Sequence, residues 1–238
     1  MTRRRWMADE FSENQAALTG RHAEHLVRVL RVRVGQEFDI STGVDVRRGR
    51  VTGVSQDRVE FELGELVPAV SIPNLTLVLS IFKFDRMEWA VEKCTELGVA
   101  RIVPVTARRT EAHLAAAAVK RWERWQRIAA QAAEQSRRSA PPEISQPVKF
   151  KEALALPGQT RIVLAEGEQQ QTLDHCLVSA ASNAAMVLAV GPEGGWDGAE
   201  IDLFRQAGWV PASLGPTILR AETAAIAAVA VVISRLQE

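Results

Sequence analysis

Residues Met186–Ala225 read MVLAVGPEGGWDGAEIDLFRQAGWVPASLGPTILRAETAA, and this stretch decides the fold. Two apolar runs, Met186–Val190 and Trp209–Ser213, each lead into a glycine- and proline-rich turn. The first turn is Gly191–Gly195 and the second is Leu214–Leu219. Asp197 and Glu200 form a D-x-x-E capping box, which predicts a helix directly after the first turn. Ile201, Leu203 and Phe204 give that helix an apolar side, and Gly208 ends it near Ala207. Small, kinked turns at the carboxyl ends of strands let backbone approach a ligand closely. Two such turns, one helix apart, are expected to form the walls of one pocket.

Working outward, Ala221–Leu236 reads as a helix with only Glu222 charged before Arg235. Its apolar run is too short for a membrane span, which needs ~20 residues. A helix apolar on nearly every side is buried against something. Towards the N-terminus, Asn74–Phe82 is a buried-strand run and Asp85–Leu97 an amphipathic helix closed by Gly98. Arg101–Val105 is a second strand, and Leu114–Arg138 holds a long helix with Trp122, Trp125, Ile128 and Ala132 at helical spacing. Arg161–Ala165 is a further strand before Met186–Val190. Strand alternating with helix predicts a parallel α/β sheet.

The first 68 or so residues have another character. Gln36–Thr42, Arg48–Val54 and Arg58–Gly64 are short runs with partial alternation, and His22–Leu30 is a single helix. Strands around one helix predict a small barrel, of PUA-like or OB-like type. The Pro68–Pro73 linker separates it from the α/β part, so the expected domains are 1–70 and 71–238.

A chain of 238 residues with 47% hydrophobic and 24% charged residues is ordinary for a globular protein. MTRRRWMADEF at the start is basic but lacks the apolar core of a signal peptide. Cys94 and Cys176 are the only cysteines, without a CxxC pair, and both are expected to be reduced in a cytoplasmic protein. No histidine spacing suits zinc, and no metal is expected. The net charge is zero, yet it is segregated. Residues 1–33 carry seven Arg against four acids and residues 101–138 nine Lys/Arg against three, whereas residues 152–238 carry four against ten. Such segregation permits a basic face on a neutral protein, as RNA binding requires, and equally a set of solvated helix faces. GxGxxG and GxxxxGK[ST] are both missing, so nicotinamide and P-loop readings lack their signatures.

Four ordered blocks resemble the RsmE family of SPOUT-class methyltransferases. They are HAEHLVRVLRVRVGQEFDI (His22–Ile40), DRMEWAVEKCTELGVARIVPV (Asp85–Val105), RWERWQRIAAQAAEQSRRSAPPEI (Arg121–Ile144) and GPEGGWDGAEI followed by SLGPTILRAETAAIAA. Arg137 stands where the family commonly has glycine. The resemblance implies a PUA-like N-terminal barrel, a SPOUT domain with a C-terminal trefoil knot, and a homodimer. It also implies methylation of N3 of an unpaired uridine in small-subunit (16S) ribosomal RNA, with S-adenosyl-L-methionine as methyl donor. An RNA-binding assembly protein without activity, or a methyltransferase acting on another RNA, would share the same blocks.

On this reading the donor lies against Leu188, Val190, Gly191, Pro192, Glu193, Gly194 and Gly195 of the first strand and turn. The second turn and last helix supply Ser213, Leu214, Gly215, Ile218, Leu219, Arg220, Thr223 and Ala224. Pro192 and Pro216 stiffen the two turns. Arg220 is expected to stabilise charge on a uracil oxygen, and Glu222 is either the acceptor of the N3 proton or a helix-end carboxylate. Glu193 has the same ambiguity. Expected RNA contacts are Arg3, Arg4, His25, Arg28 and Arg31 in the first module, with Arg28 and Arg31 on one helix face. Lys83, Arg86, Arg109 and Arg138 extend this set, and His22 shares a face with His25. Trp122 and Trp125 could stack bases but on an apolar stripe read as core or interface, and Glu92, Lys93 and Glu96 as helix surface or subunit contact.

Overall fold

The structure is a computed structural model and describes residues 5–68, 73–178 and 184–236. Two compact units are present: residues 1–71 with 133–141, and residues 72–132 with 142–238.

The N-terminal unit holds β1 (Arg5–Met7), β2 (Glu10–Phe11), β3 (Gln15–Thr19), α1 (Gly20–Glu24), β4 (Glu37–Ser41), β5 (Val46–Val54) and β6 (Arg58–Leu66). They form one sheet in the order β1-β4-β5-β6-β3-β2. Alternation sets the buried face: Val59, Phe61 and Leu63 of β6 point inward while Glu60 and Glu62 face water. Leu18, Ala23, Leu26, Ile40 and Val51 complete this core. Strands β1 and β2 had no sequence signal. They are short, and their side chains are exposed or half-buried, so no alternation marks them.

The helix expected over His22–Leu30 begins two residues earlier and changes character. After α1 the chain widens into a π-helical turn over His25–Val29. The Leu30 amide then donates to the His25 carbonyl, and Val32 N–H to the Leu26 carbonyl at 3.1 Å. Closing the turn this way, with Val32 packed near the buried Leu26, puts Arg31 in the left-handed region at φ 51°. Arg28 and Arg31 therefore do not share a helix face, contrary to expectation.

The second unit holds β7 (Leu75–Ser80), α2 (Phe84–Leu97), β8 (Arg101–Thr106), α3 (Ala112–Gln135), β9 (Glu143–Ile144) and β10 (Val148–Lys149). It continues with α4 (Phe150–Leu154), β11 (Thr160–Leu164), α5 (Leu173–Leu177), β12 (Met186–Val190), α6 (Gly198–Gln206), β13 (Val210–Ala212) and α7 (Ala221–Leu236). The last residues of α3 fall in the N-terminal unit. The sheet is parallel throughout, in the order β10-β8-β7-β12-β11-β13, with β9 also on β8.

Burial on both faces explains why these strands read as continuous apolar runs. Leu75, Leu77 and Leu79 of β7, with Met186, Leu188 and Val190 of β12, face α2, α3, α5 and α7. Val78, Val103, Val163, Val187 and Ala189 face the other way, onto α4 and α6. Helix α2 presents Met87, Ala90, Val91 and Cys94 at i, i+3, i+4 and i+7, and Gly98 ends it at φ 109°. Burial pushes the Cys94 thiol far up. On α7, Ala225, Ala228, Val229 and Val232 are fully buried, whereas Ile226, Ala227, Ala230 and Val231 are half-exposed. No helix among the described residues is long and apolar enough to cross a membrane.

Candidate active site

A cleft of about 510 Å³ opens at the carboxyl ends of the neighbouring strands β12, β11 and β13. Its first wall is Val190–Trp196, leaving β12, and its second is Ala212–Leu219, leaving β13, with Ala221 and Ala224 of α7 behind it. The third wall is Leu164–Glu168, leaving β11. The sequence had marked Arg161–Ala165 as a strand, but only the strand order puts β11 between β12 and β13, and hence Glu166, Gly167 and Glu168 against the two glycine turns.

Each turn has a physical reason for its residues. The Gly195 amide donates to the Pro192 carbonyl at 2.8 Å, closing a four-residue turn. Gly195 at φ 67° and Gly215 at φ 121° occupy backbone that other residues adopt only with strain. At Gly191 a Cβ would lie 3.1 Å from the Trp196 nitrogen and 3.2 Å from the Gly195 carbonyl carbon. The second turn is tied to the third wall's chain by Leu173 N–H to the Ser213 carbonyl and Ser213 N–H to the Gln171 carbonyl. Asp197 caps α6 by accepting from Glu200 N–H, and Glu200 accepts from Asp197 N–H, so the capping box forms.

The loop after β8 braces the first turn. Glu200 is fully buried, and its Oε1 accepts the Arg108 amide at 2.8 Å while Oε2 takes Asp197 N–H at 3.0 Å. The Glu200 amide, with the Arg108 guanidinium 3.0 Å away, holds the Asp197 carboxyl below its ordinary range. Arg109 donates to the Gly194 carbonyl, and its side chain lies over Gly194. Beneath the turn, Trp196 packs edge-on against Phe204 at 4.9 Å, and Phe204 also meets Phe150 at 5.1 Å and Trp209 at 4.9 Å.

The structure brings together Val190, Gly191, Pro192, Glu193, Gly194, Gly195, Ser213, Leu214, Gly215, Ile218, Leu219 and Ala224 as cleft lining. Leu188 lies in the sheet interior at 0% exposure instead. Arg220 and Thr223 are exposed beside the second wall without lining the cleft. Glu222 is 3% exposed, and its Oε1 is 3.7 Å from Arg86 Nε. Arg86 also donates from Nη1 to Glu193 Oε1 at 3.1 Å, so Glu193 is an ion-pair partner and not a helix cap. Arg109, expected on RNA, lines the cleft. The cleft further holds Glu166, Glu168, Asp202 and Arg205, which sequence reasoning missed. Gln170 and Gln171 amides hold the Glu168 carboxyl below its usual range.

Of the other residues expected on RNA, Arg28, Arg31, His25 and Lys83 are exposed. Arg3 and Arg4 lie outside the described residues. Arg138 is a correction: it is 8% exposed, and burial pulls its guanidinium down to about 10. It lies in the 133–141 segment assigned to the N-terminal unit, next to Arg137, which is left-handed at φ 60°. Trp125 is fully buried, and Trp122 donates to the Ile144 carbonyl at 2.8 Å, so both serve packing. Lys93 is paired with Glu92 and Glu96 along α2.

His22 has a structural role in the N-terminal unit. Nδ1 sits 3.0 Å from Asp9 Oδ1 and Nε2 3.1 Å from Glu134 Oε1, so two carboxylates hold a doubly protonated ring. The Glu134 hydrogen bond is the main cause that pushes His22 up to about 9, with Asp9 adding to it against burial. A raised value means stability present below the ordinary 6.5 and lost as pH climbs through about 9. Wild type should therefore resist urea better than His22→Ala at pH 6. The gap should close above pH 9, and one that persisted there would show packing rather than charge.

A parallel sheet whose cleft is built from three turns at adjacent carboxyl ends is the architecture of an α/β ligand-binding domain. Residues 70–233 match the RNA methyltransferase domain family, and residues 18–64 the RNA methyltransferase PUA domain family. The chain is 33% identical to ribosomal RNA small subunit methyltransferase E of Synechocystis, over 93% of this chain and 74% of that one. For the Bacillus subtilis enzyme of the same name the identity is 30%, over 91% and 88%. The crystal structure of a ribosomal RNA small subunit methyltransferase E from Neisseria gonorrhoeae, bound to S-adenosyl methionine, superposes with a TM-score of 0.81 at 32% identity, covering 97% and 96%. The chain belongs to the ribosomal RNA small subunit methyltransferase E family.

Proposed function

We propose that this chain methylates N3 of an unpaired uridine in small-subunit (16S) ribosomal RNA. S-adenosyl-L-methionine supplies the methyl group. The observation that carries this reading is the three-walled cleft on β11, β12 and β13. Its volume of about 510 Å³ suits a small ligand held against close-approaching backbone. Backbone amides and carbonyls of the glycine turns suit an adenine edge. Leu164, Val190, Leu214 and Leu219 offer it apolar contact, and Glu166 offers a carboxylate to ribose hydroxyls or the donor's positive charge. N3 is consumed by Watson–Crick pairing, so the target must be unpaired. Arg220, exposed beside the second wall, is the cation for charge gathering on a uracil oxygen.

Calorimetry with S-adenosylmethionine tests the cleft. Mass spectrometry of ribosomal RNA from a strain lacking the gene, before and after complementation, tests the product. Donor binding without any change in RNA methylation would favour a substrate other than ribosomal RNA. Residues 1–70 serve as the RNA-gripping domain and 71–238 as the knotted catalytic domain, in a cytoplasmic homodimer. The half-exposed Ile226, Ala227, Ala230 and Val231 of α7 support the dimer, and a monomer by light scattering would reject it.

Arg28 and Arg31 are exposed and sit on the N-terminal unit. As phosphate contacts they add affinity but little to the chemical step. Replacing both by alanine should flatten the salt dependence of RNA binding by about two in log–log slope, with single-turnover rates unchanged at saturating RNA. An unchanged slope would remove them from the RNA interface.

A further inference from the structure

We propose that Glu193 is the general base for the N3 proton, with Arg86 as its positioning residue and buried Glu222 as the anchor of Arg86. This rests on the methyltransferase reading above. Methylation at N3 releases one proton, and a carboxylate beside the reacting nitrogen speeds the step by taking it. Glu193 lines the cleft and its side chain is 30% exposed, whereas Glu222 is buried and does not line it. Arg86 lies between them, 3.1 Å from Glu193 Oε1 and 3.7 Å from Glu222 Oε1.

Charge decides the division of roles. A buried carboxylate needs a compensating cation, and Arg86 is the cation beside Glu222. Two carboxylates sharing one guanidinium leave a net charge of minus one on the cluster. Accepting one proton at Glu193 makes it neutral. Arg86 fixes Oε1 of Glu193 and leaves Oε2 for the proton. The other carboxylates of the cleft are differently engaged: Glu168 by two backbone amides, and Asp202 by Arg205 at 3.3 Å. Glu166 stands by Gly195 on the opposite wall. In the step, Glu193 takes the N3 proton and the nitrogen lone pair forms the new N–CH3 bond. The methyl–sulfur bond breaks with its electron pair left on sulfur, and Glu193 later releases the proton to water.

Single-turnover methylation at saturating donor and RNA tests this, beside calorimetry of S-adenosylhomocysteine binding. Glu193→Gln should cut the rate about 10²–10⁴-fold, the range of general-base catalysis, with a far smaller effect on S-adenosylhomocysteine affinity. RNA carrying 5-fluorouridine at the target has a more acidic N3–H and should recover much of that loss. Arg86→Gln should also slow the reaction and Arg86→Lys restore most of it, as a positioning cation requires. Equal losses on uridine and 5-fluorouridine, loss of S-adenosylhomocysteine binding in Glu193→Gln, or the main rate loss in Glu166→Gln would each overturn the assignment. A wild-type chain that methylates no RNA would instead sink the reading on which it rests.

Discussion

Gly191→Val is expected to weaken S-adenosylmethionine binding by about 10- to 100-fold, from an overpacking cost of about 1–3 kcal/mol placed in the turn itself. The atoms that a Cβ would meet at Gly191 are backbone, the Trp196 nitrogen at 3.1 Å and the Gly195 Cα at 3.3 Å. They cannot rotate away as a side chain can, so the turn must open, and the first wall of the cleft moves. Gly194 is the informative comparison. A Cβ there meets the Arg109 Cδ at 3.4 Å, an ordinary contact with a flexible side chain. Although the sequence marks Gly194 as part of the same turn, Gly194→Val should do less damage than Gly191→Val. Calorimetric titration of both variants decides it, and a larger loss at Gly194 would show that the turn is not held by its own backbone contacts.

Phe204→Ala should destabilise the chain by about 3–5 kcal/mol, the usual cost of removing a fully buried aromatic ring. Phe204 is 0% exposed and contacts Phe150, Trp196 and Trp209 with edge-on geometry. Of these partners Trp196 stands directly after Gly195, so the cavity lies under the first turn of the cleft. Donor binding should weaken along with stability. Urea unfolding followed by tryptophan fluorescence would measure the first effect and calorimetry the second. A stability change below about 1 kcal/mol would mean that the neighbours collapse into the space. Full donor affinity in a destabilised variant would show that the turn is braced chiefly by Arg108, Arg109 and Glu200.

Local chemistry made much of this protein legible in its sequence. The capping box Asp197/Glu200, the α2 stripe closed by Gly98 and the apolar runs of β7 and β12 depend on neighbours within a few residues, so their patterns sit in the text of the chain. Gly191, Gly195 and Gly215 were legible for the same reason, because a turn's backbone demands are local. The tertiary structure decided whatever depended on which strands lie side by side. β11 sits between β12 and β13, and that order alone made Glu166–Glu168 a wall of the cleft. Arg86 and Glu193 are 107 positions apart, and Arg109 and Gly194 85, so no periodicity links them. Arg138 reads as an RNA contact and is buried, while His22, read as sharing a face with His25, is held by Asp9 and Glu134. Burial and ion pairing are properties of the packed chain: a charged side chain's partners are set by the fold, and its sequence neighbours do not name them.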